Sequence, residues 1–177
     1  MRRIKYVFYR ILSILFGNKW MIRYYKSIGI SIGSNTHIFS TIKTSEPYLI
    51  SIGSNCTIAT NVSLLTHDAS VGALLGRSQK SDLCGRITIG NNCFIGDRSI
   101  ILYGVHLMDD TIVAAGSVVT RSFNEKGIIV GGVPAKKIGT VAEFLEKYDN
   151  NFHSLHGLND TERKNAIMNH EEKLIKR

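Results

Sequence analysis

Aliphatic residues recur every six positions through the middle of this chain. The longest unbroken series is Ile89, Ile95, Ile101, Leu107, Val113 and Val119. A second block comprises Ile52, Ile58 and Leu64, and a fainter one comprises Ile32 and Ile38. Side chains repeat about every 3.6 residues in a helix and every 2 residues in an ordinary strand, so neither element explains this period.

A coil with a triangular cross-section does explain it. Each group of six residues forms one short strand and one corner, with the aliphatic side chain pointing inward. Gly and Asn between the aliphatic residues permit positive φ at the corners. A small residue precedes many of the aliphatic residues by two positions, as at Cys56, Cys93, Ser99, Thr111 and Ser117.

Three such groups close one coil, and coils must stack because a single coil cannot bury its own core. The sequence therefore predicts an all-β fold, a parallel β-helix. Residues 89–124 supply two coils, 52–69 supply one, and 28–51 supply a less regular one.

The repeat also predicts how the chain is organised. A basic amphipathic helical arm covers 1–27, the β-helix covers 28–139, and a helical tail covers 140–177. The phase breaks between the second block and the longest one, so an insertion over about 69–86 leaves the coil. Long insertions in regular solenoids are usually functional.

The tail is predicted to be helical over 141–148 and again after Asn159. Glu162 follows Asn159 by three positions, which is the spacing of a capping box.

The net charge of +8 comes from the N-terminal part of the chain, chiefly from the arm. Eight basic residues and no acidic residue precede Glu46. A basic groove spread along the molecule is therefore excluded, and no zinc-finger or RNA-binding signature occurs, so we expect no nucleic-acid partner. The odd cysteine count, 3, favours a reduced, cytoplasmic protein.

The apolar stretch Tyr6–Phe16 contains Arg10 and is shorter than the roughly 20 residues of a membrane-spanning helix. It also lacks the pattern of a secretory signal. Two interpretations of the arm stay open. Its apolar helical face packs on the rest of the protein, or residues 1–26 contact the cytoplasmic face of the membrane peripherally. That face comprises Ile4, Phe8, Ile11, Leu12 and Leu15.

Four segments resemble a known family over residues 28–139. They read LLTHDAS (64–70), ITIGNNCFIGDRSIIL (87–102), IVAAGSVVTR (112–121) and GGVPAKKIG (131–139). They are similar to the hexapeptide-repeat acyltransferases, which have a left-handed β-helix, and within them to the maltose/galactoside and capsular-polysaccharide O-acetyltransferases. Two departures are YGVHLMDD (103–110), where the family usually has PGVTIGDN, and Gly139, where it often has a basic residue.

The resemblance implies an acetyl-CoA-dependent O-acetyltransferase that acts on a sugar hydroxyl in surface-polysaccharide biosynthesis. It also implies a homotrimer, with acetyl-CoA bound between two chains. His67 would be the general base, because neutral imidazole can take the hydroxyl proton during attack on a thioester. Asp68 or a backbone carbonyl would orient the ring.

Five positions match residues that contact acetyl-CoA in the family. Asp97 corresponds to a contact on the pantetheine side and Ala115 to a backbone contact. Thr120 and Arg121 correspond to a contact with the arm or its phosphates. Lys136 corresponds to a basic contact with the nucleotide end, which suits the preference of phosphates for basic groups. Each of the five could instead be an ordinary corner or surface residue.

Several alternatives stay open. The chain could transfer acetyl to the nitrogen of an amino sugar, or it could be a non-catalytic β-helix scaffold. Cys84, in the insertion, could act as a nucleophile, although an ordinary loop residue is the simpler interpretation. No metal is expected, because no second histidine lies five residues from His67. The other histidines are interpreted as structural or surface residues.

Overall fold

The computed structural model describes residues 2–75 and 81–175. Part of the predicted insertion, residues 76–80, therefore lies outside the described residues. The helices are α1 Arg2–Phe16, α2 Lys19–Ser27, α3 Ser70–Leu74, α4 Val141–Tyr148 and α5 Asp160–Met168, with 3₁₀ turns at Pro47–Leu49, Asp149–Asn151 and Glu171–Lys173.

The strands are short and follow one another around a column. They are β1 Ser31–Ile32, β2 His37–Ile38, β3 Ile50–Ile52, β4 Thr57–Ile58, β5 Ser63–Leu64, β6 His67–Asp68, β7 Leu83–Cys84, β8 Ile87–Ile89, β9 Phe94–Ile95, β10 Ile100–Ile101, β11 His106–Leu107, β12 Ile112–Val113, β13 Val118–Val119, β14 Ile128–Gly132 and β15 Ala135–Thr140.

The column has three faces. Face 1 is the sheet β1-β3-β8-β11, face 2 is β15-β14-β12-β9-β4-β2, and face 3 is β13-β10-β5. All neighbours within these faces are parallel except β14 and β15, which form an antiparallel pair. From β3 to β13, apart from the pair β6 and β7, the chain visits face 1, face 2 and face 3 in turn, so the predicted β-helix is confirmed.

The predicted inward residues form the core. Every aliphatic residue of the six-residue series is buried, from Ile32 in the first coil to Val119 in the last. The small residues two positions earlier are buried too: Cys56, Cys93, Ser99, Thr111 and Ser117. Their side chains donate to backbone carbonyls at the corners, as Ser117 Oγ does to the carbonyl oxygen of Ala114 at 2.6 Å.

One corner carries a ladder of side-chain amides. Asn35 donates to Asn55, Asn55 to Asn92, and Asn92 to Asp110, over 3.0, 3.2 and 2.9 Å. All four have φ between 51° and 59°, a left-handed conformation that Asn and Asp tolerate better than most residues. Successive residues of the ladder are separated by 20, 37 and 18 positions in the sequence. The long second step contains the insertion.

Helices α1 and α2 pack on the first coil. Asn18, just before α2, donates to the carbonyl oxygen of Ile38 at 2.6 Å and accepts from its amide at 3.2 Å. The buried Tyr25 hydroxyl donates to the carbonyl oxygen of Ser40 at 3.0 Å and accepts from the Ile42 amide at 3.2 Å. Burial raises the pKa of Tyr25 to about 12. The helical arm thus closes the N-terminal end of the core.

The chain divides into two compact units, with the boundary between Val141 and Ala142. The second unit contains the helical tail. The helix predicted over 141–148 is confirmed as α4. The predicted capping box is confirmed as well: the Asn159 side chain accepts from the Glu162 amide at 3.0 Å, and the Glu162 carboxylate accepts from the Asn159 amide at 2.9 Å. No helix in the described part of the chain has the length and apolarity needed to cross a membrane.

We predict that Gly53→Ala destabilises the fold by about 1–3 kcal/mol. A Cβ at Gly53 would lie 2.5 Å from the carbonyl oxygen of Gly90 in the next coil, so two stacked corners would have to move apart. Urea unfolding would measure the loss. The control is Ser51→Ala in β3, the strand that ends just before Gly53, for which we expect a change under about 0.5 kcal/mol. Equal stabilities of the two variants would contradict this account of the corner.

Candidate active site

His67 lies where the insertion leaves the column. It follows β5 of face 3 by three positions, in the short strand β6. Strand β7, at the end of the insertion, returns antiparallel to β6 and places Cys84 opposite His67 in the register. The insertion therefore folds back along the segment that carries the predicted base.

Glu46 holds one nitrogen of the His67 ring. The distance from His67 Nδ1 to Glu46 Oε2 is 2.7 Å. The imidazole is 36% exposed, whereas the Glu46 side chain is only 18% exposed. A carboxylate on Nδ1 favours the tautomer that has its proton there and leaves the Nε2 lone pair available to a substrate. Glu46 thus occupies the orienting position for which the sequence predicts Asp68 or a backbone carbonyl.

Two threonines fix the Glu46 carboxylate. Thr66 Oγ1 donates to Glu46 Oε2 at 2.8 Å, and the Thr66 and Thr44 hydroxyls lie 2.5 Å apart. Thr44 Oγ1 also accepts from the Glu46 amide at 3.1 Å. Burial raises the pKa of Glu46, but the hydrogen bonds from Thr66 and His67 outweigh it, so that the pKa lies below its ordinary value. Glu46 is therefore held as a carboxylate beside the imidazole.

Asp68 has different partners. Its carboxylate accepts from the Ser70 amide at 2.8 Å and from the Tyr103 hydroxyl at 3.2 Å. The hydrogen bond from the Ser70 backbone is the main reason why the pKa of Asp68 lies below its ordinary value. Burial and the Asp68 carboxylate in turn raise the pKa of Tyr103. Asp68 thus connects the start of the insertion to the next coil.

Thr120 and Arg121 stand on the edge of the column that carries His67. Strands β5, β10 and β13 are paired in register, so the residues that follow them stack above one another. Arg121 is therefore two coils away from Thr66, about 10 Å at the usual spacing of paired strands. Thr120 and Arg121 are both exposed, and the Arg121 guanidinium lies 5.5 Å from the centre of the Phe123 ring.

Asp97 and Ala115 lie on the other edge of face 3. Both line an open groove of about 600 Å³, together with Thr60, Asn61, Arg98 and Gly116. Asp97 Oδ1 accepts from the Thr60 amide at 2.9 Å, which ties the carboxylate to the neighbouring coil. The structure therefore separates these two residues from His67 by the width of face 3 within one chain.

Lys136 is further along the column. It lies in β15, opposite Gly131 of β14, and its side chain is exposed. Its neighbour Lys137 pairs with Glu125 at 2.5 Å. Within one chain the structure thus groups His67, Thr120 and Arg121 on one edge, with Asp97 and Ala115 on a second edge and Lys136 on the last strand of face 2.

The sequence analysis missed Glu46 and Tyr103. Glu46 lies in the irregular first coil, where the six-residue repeat is too weak to assign inward and outward positions. One signal was available: Glu46 is the first acidic residue of the chain and follows a long basic segment. Tyr103 lies in the segment that departs from the family pattern, and nothing in the sequence connects it to Asp68.

The comparisons with known proteins agree with this fold. The family model described as the hexapeptide repeat of succinyl-transferase matches residues 50–66 and 86–121. Protein CapG of Staphylococcus aureus is 38% identical over 147 residues, which cover 81% of this chain and 85% of that protein. The galactoside O-acetyltransferase of Escherichia coli is 32% identical over 119 residues, 67% of this chain but only 58% of that enzyme.

Two further similarities bear on function. A putative colanic acid biosynthesis acetyltransferase of Escherichia coli, WcaF, is 27% identical over 133 residues, 66% of this chain and 72% of that protein. A solved galactoside acetyltransferase in complex with coenzyme A is 25% identical, with a TM-score of 0.56 and coverage of 80% of this chain and 76% of that one. This chain belongs to the hexapeptide-repeat acetyltransferase family. These findings confirm the predicted family, the predicted left-handed β-helix and the predicted acyltransferase class.

Two alternative chemistries, metal binding and a cysteine nucleophile, can be compared with the structure. Among residues 2–75 and 81–175, no group of three or more His, Cys, Asp or Glu side chains could hold a metal ion. Cys84 is an exposed free thiol, and Cys56 and Cys93 are buried free thiols in the core. The position of Cys84 opposite His67 makes it the thiol to test for covalent transfer.

We predict that Glu46→Gln reduces the pH dependence of stability. The pKa of Glu46 is lowered by folding, so its carboxylate stabilises the fold at neutral pH, and this contribution is lost as the pH falls below the ordinary carboxyl range. Urea unfolding from about pH 7 to about pH 3.5 should show the variant approaching the wild type in stability as the pH falls. Glu146→Gln, on the exposed surface of α4, is the control. A constant difference between wild type and Glu46→Gln across this range would contradict the prediction.

Proposed function

We propose that this chain transfers the acetyl group of acetyl-CoA to a hydroxyl of a saccharide, with His67 as general base. The observation that carries the proposal is the His67–Glu46 pair: a partly exposed imidazole whose Nδ1 lies 2.7 Å from a well-fixed carboxylate. The acetyl-CoA donor follows from the family, in which a galactoside acetyltransferase is solved with coenzyme A. The oxygen acceptor is supported by the similarity to a galactoside O-acetyltransferase.

The pair can perform the proton transfers of a direct reaction. Nε2 of His67 takes the proton of the acceptor hydroxyl while the oxygen attacks the thioester carbonyl carbon. The tetrahedral intermediate then expels the coenzyme A sulfur, and the imidazolium returns the proton to it. Glu46 faces Nδ1–H throughout, so its charge stabilises the imidazolium between the two steps. No acyl-enzyme is needed, because the thioester is already activated.

The proposed donor site uses both edges of face 3. Arg121 supplies a positive charge on the edge of His67, and Lys136 supplies another at the end of the column, as coenzyme A phosphates require. The groove of Asp97 and Ala115 offers room and backbone groups for the pantetheine arm. Thr120 adds an exposed hydroxyl beside Arg121.

A homotrimer is part of the proposal. His67 and the groove of Asp97 and Ala115 lie on different edges of one chain, so a cleft that contains both is built most directly from two chains. Outward side chains of face 3 support such packing, because Leu65 is exposed and Ile100, Leu102 and Val118 are half-buried in the isolated chain. Each of three equivalent clefts would then take His67 from one chain and the groove from its neighbour.

The acceptor is proposed to be a precursor of a surface polysaccharide. WcaF, named for colanic acid biosynthesis, supports that class of acceptor. A cytoplasmic location agrees with the buried free thiols Cys56 and Cys93, which persist in a reducing compartment. N-acetylation of an amino sugar is the alternative that the following experiment separates from O-acetylation.

We predict that the purified protein acetylates an oligosaccharide or nucleotide sugar and that His67→Ala lowers kcat by about 10²–10⁴-fold. Binding of coenzyme A should persist in the variant, because His67 acts on the acceptor. The measurement uses isotope-labelled acetyl-CoA, a panel of acceptors and mass detection of the product. An ester is cleaved by mild base and an amide is not, so the same product distinguishes O- from N-acetylation.

Two matched variants sharpen this test. His106→Ala removes an exposed histidine of face 1 and should leave kcat unchanged. Cys84→Ser should also retain activity if transfer is direct. Wild-type turnover by His67→Ala would refute the role of His67. Labelled acetyl bound to Cys84 during turnover would refute direct transfer. Failure to bind coenzyme A at all would contradict the proposed donor site.

We predict that Glu46→Gln lowers kcat by about 10–100-fold, a larger effect than that of Asp68→Asn. The neutral amide keeps the size of the Glu46 side chain but removes the charge beside Nδ1, whereas Asp68 is bound to Ser70 and Tyr103 instead. Steady-state kinetics would measure kcat and the KM for acetyl-CoA separately. The KM should change little, because Glu46 acts through His67. A larger loss of kcat in Asp68→Asn would instead identify Asp68 as the carboxylate that supports the base.

A further inference from the structure

Helix α1 presents an apolar stripe to solvent. Six large hydrophobic side chains of this helix are between 53% and 77% exposed: Ile4, Val7, Phe8, Ile11, Ile14 and Leu15. Their spacing of three and four residues places them on one side of the helix. Exposed apolar patches of this size on a protein usually mark a surface that contacts another protein or a membrane.

The opposite side of α1 is already occupied. Tyr6 and Tyr9 are half-buried against the core, and their rings contact that of Tyr24 at centroid distances of 5.5 and 5.9 Å. The Tyr6 hydroxyl lies 3.4 Å from the Thr41 hydroxyl in the first coil. The helix is therefore held on the column by its tyrosine side, and this contact leaves the aliphatic stripe facing outward.

The charge around the stripe is uniformly positive. Lys5 and Arg10 are exposed on α1, and Lys19, Arg23 and Lys26 are exposed on α2. No acidic residue occurs in the sequence before Glu46. A helix with an apolar stripe, basic flanks and no acidic residues is suited to lie in the interface of an anionic lipid bilayer. A second copy of this chain would bring its own positive arm against the first, which is electrostatically unfavourable.

We propose that α1 docks this protein on the surface of an anionic membrane, with the stripe from Ile4 to Leu15 inserted among the lipids. The tyrosine side of α1 packs on the column. The exposed aliphatic side does not pack on the column, so of the two interpretations of this face the membrane contact is the one we propose. Docking of this kind is reversible, since one amphipathic helix supplies a weak anchor.

Docking places the His67 site close to the membrane. Glu46 belongs to the first coil, on which α1 and α2 pack, and His67 follows one coil later. Successive coils are about 5 Å apart, so only a few such spacings along the column separate His67 from α1. If the proposed function holds, the favoured acceptor is a lipid-linked saccharide presented at the bilayer surface. The docking itself does not depend on acetyl transfer.

The test measures binding to vesicles and needs no substrate. Wild-type protein should sediment with vesicles of phosphatidylcholine containing about one-third phosphatidylglycerol, and much less with phosphatidylcholine alone. The double variant Phe8→Asp/Ile11→Asp should bind at least about tenfold more weakly. Ile138→Asp, a change to an equally exposed residue of β15 (63% exposed), should bind like the wild type. Salt of about 0.5 M should weaken wild-type binding.

The outcomes are distinct. Loss of vesicle binding in the double variant, with an unchanged circular dichroism spectrum and oligomeric state, would support the proposal. Wild-type protein that ignores anionic vesicles, or a double variant that binds as well as the wild type, would overturn it. A double variant that changes only the oligomeric state would also overturn it, in favour of contact between copies. Activity on a water-soluble acceptor, measured in parallel, tests the proposed function separately.

Discussion

Close stacking of flat coils is the constraint on which the rest of this molecule depends. No coil can bury its aliphatic side chains without the coils above and below it. Stacking in turn requires corners without bulk, and a Cβ at Gly53 or Gly90 would fall within 2.5–2.6 Å of backbone atoms in the next coil. The Asn35–Asn55–Asn92–Asp110 ladder stabilises the stacking, because its side chains form hydrogen bonds from one coil to the next. The faces are therefore strongly constrained by packing, and in this chain the candidate site residues lie at edges, at the ends of the column and beside the insertion.

This division explains where the candidate active site lies. The insertion can leave the column between Leu64 and Ile87 because the chain crosses an edge there, and no face loses a strand. At that edge the chain places His67 against Glu46 of the coil below, while Asp68 reaches Tyr103 of the coil above. His67 therefore contacts the coil below and Asp68 contacts the coil above. The spacing between coils sets the position of the His67 ring relative to Glu46. A site built in this way is rigid on the column side and open on the other.

The regular part of the fold could be predicted from the sequence because its determinants are local and repeated. Six-residue spacing fixes which side chains point inward, and the capping pair Asn159 and Glu162 fixes the start of a helix. The contact between Glu46 and His67 could not be predicted in this way. It joins residues 21 positions apart across two coils, and the first of those coils departs from the repeat. The sequence also could not predict that the apolar stripe of α1 faces outward. Periodicity shows that a helix has an apolar face, but it does not show which side of the helix packs on the rest of the protein.

The helical arm and Glu46 both involve the irregular first coil. A β-helix ends in an exposed core, and its first coil must be covered by something apolar. Here the covering element is a helical hairpin whose Tyr25 is fully buried beneath it and bonded to Ser40 and Ile42. The strict repeat is interrupted between Ile42, which Tyr25 contacts, and Ile50. Within this segment Glu46 bonds to Thr66 and His67 at the next coil. The irregularity that hides Glu46 from sequence analysis is thus the same irregularity that lets a carboxylate reach the imidazole.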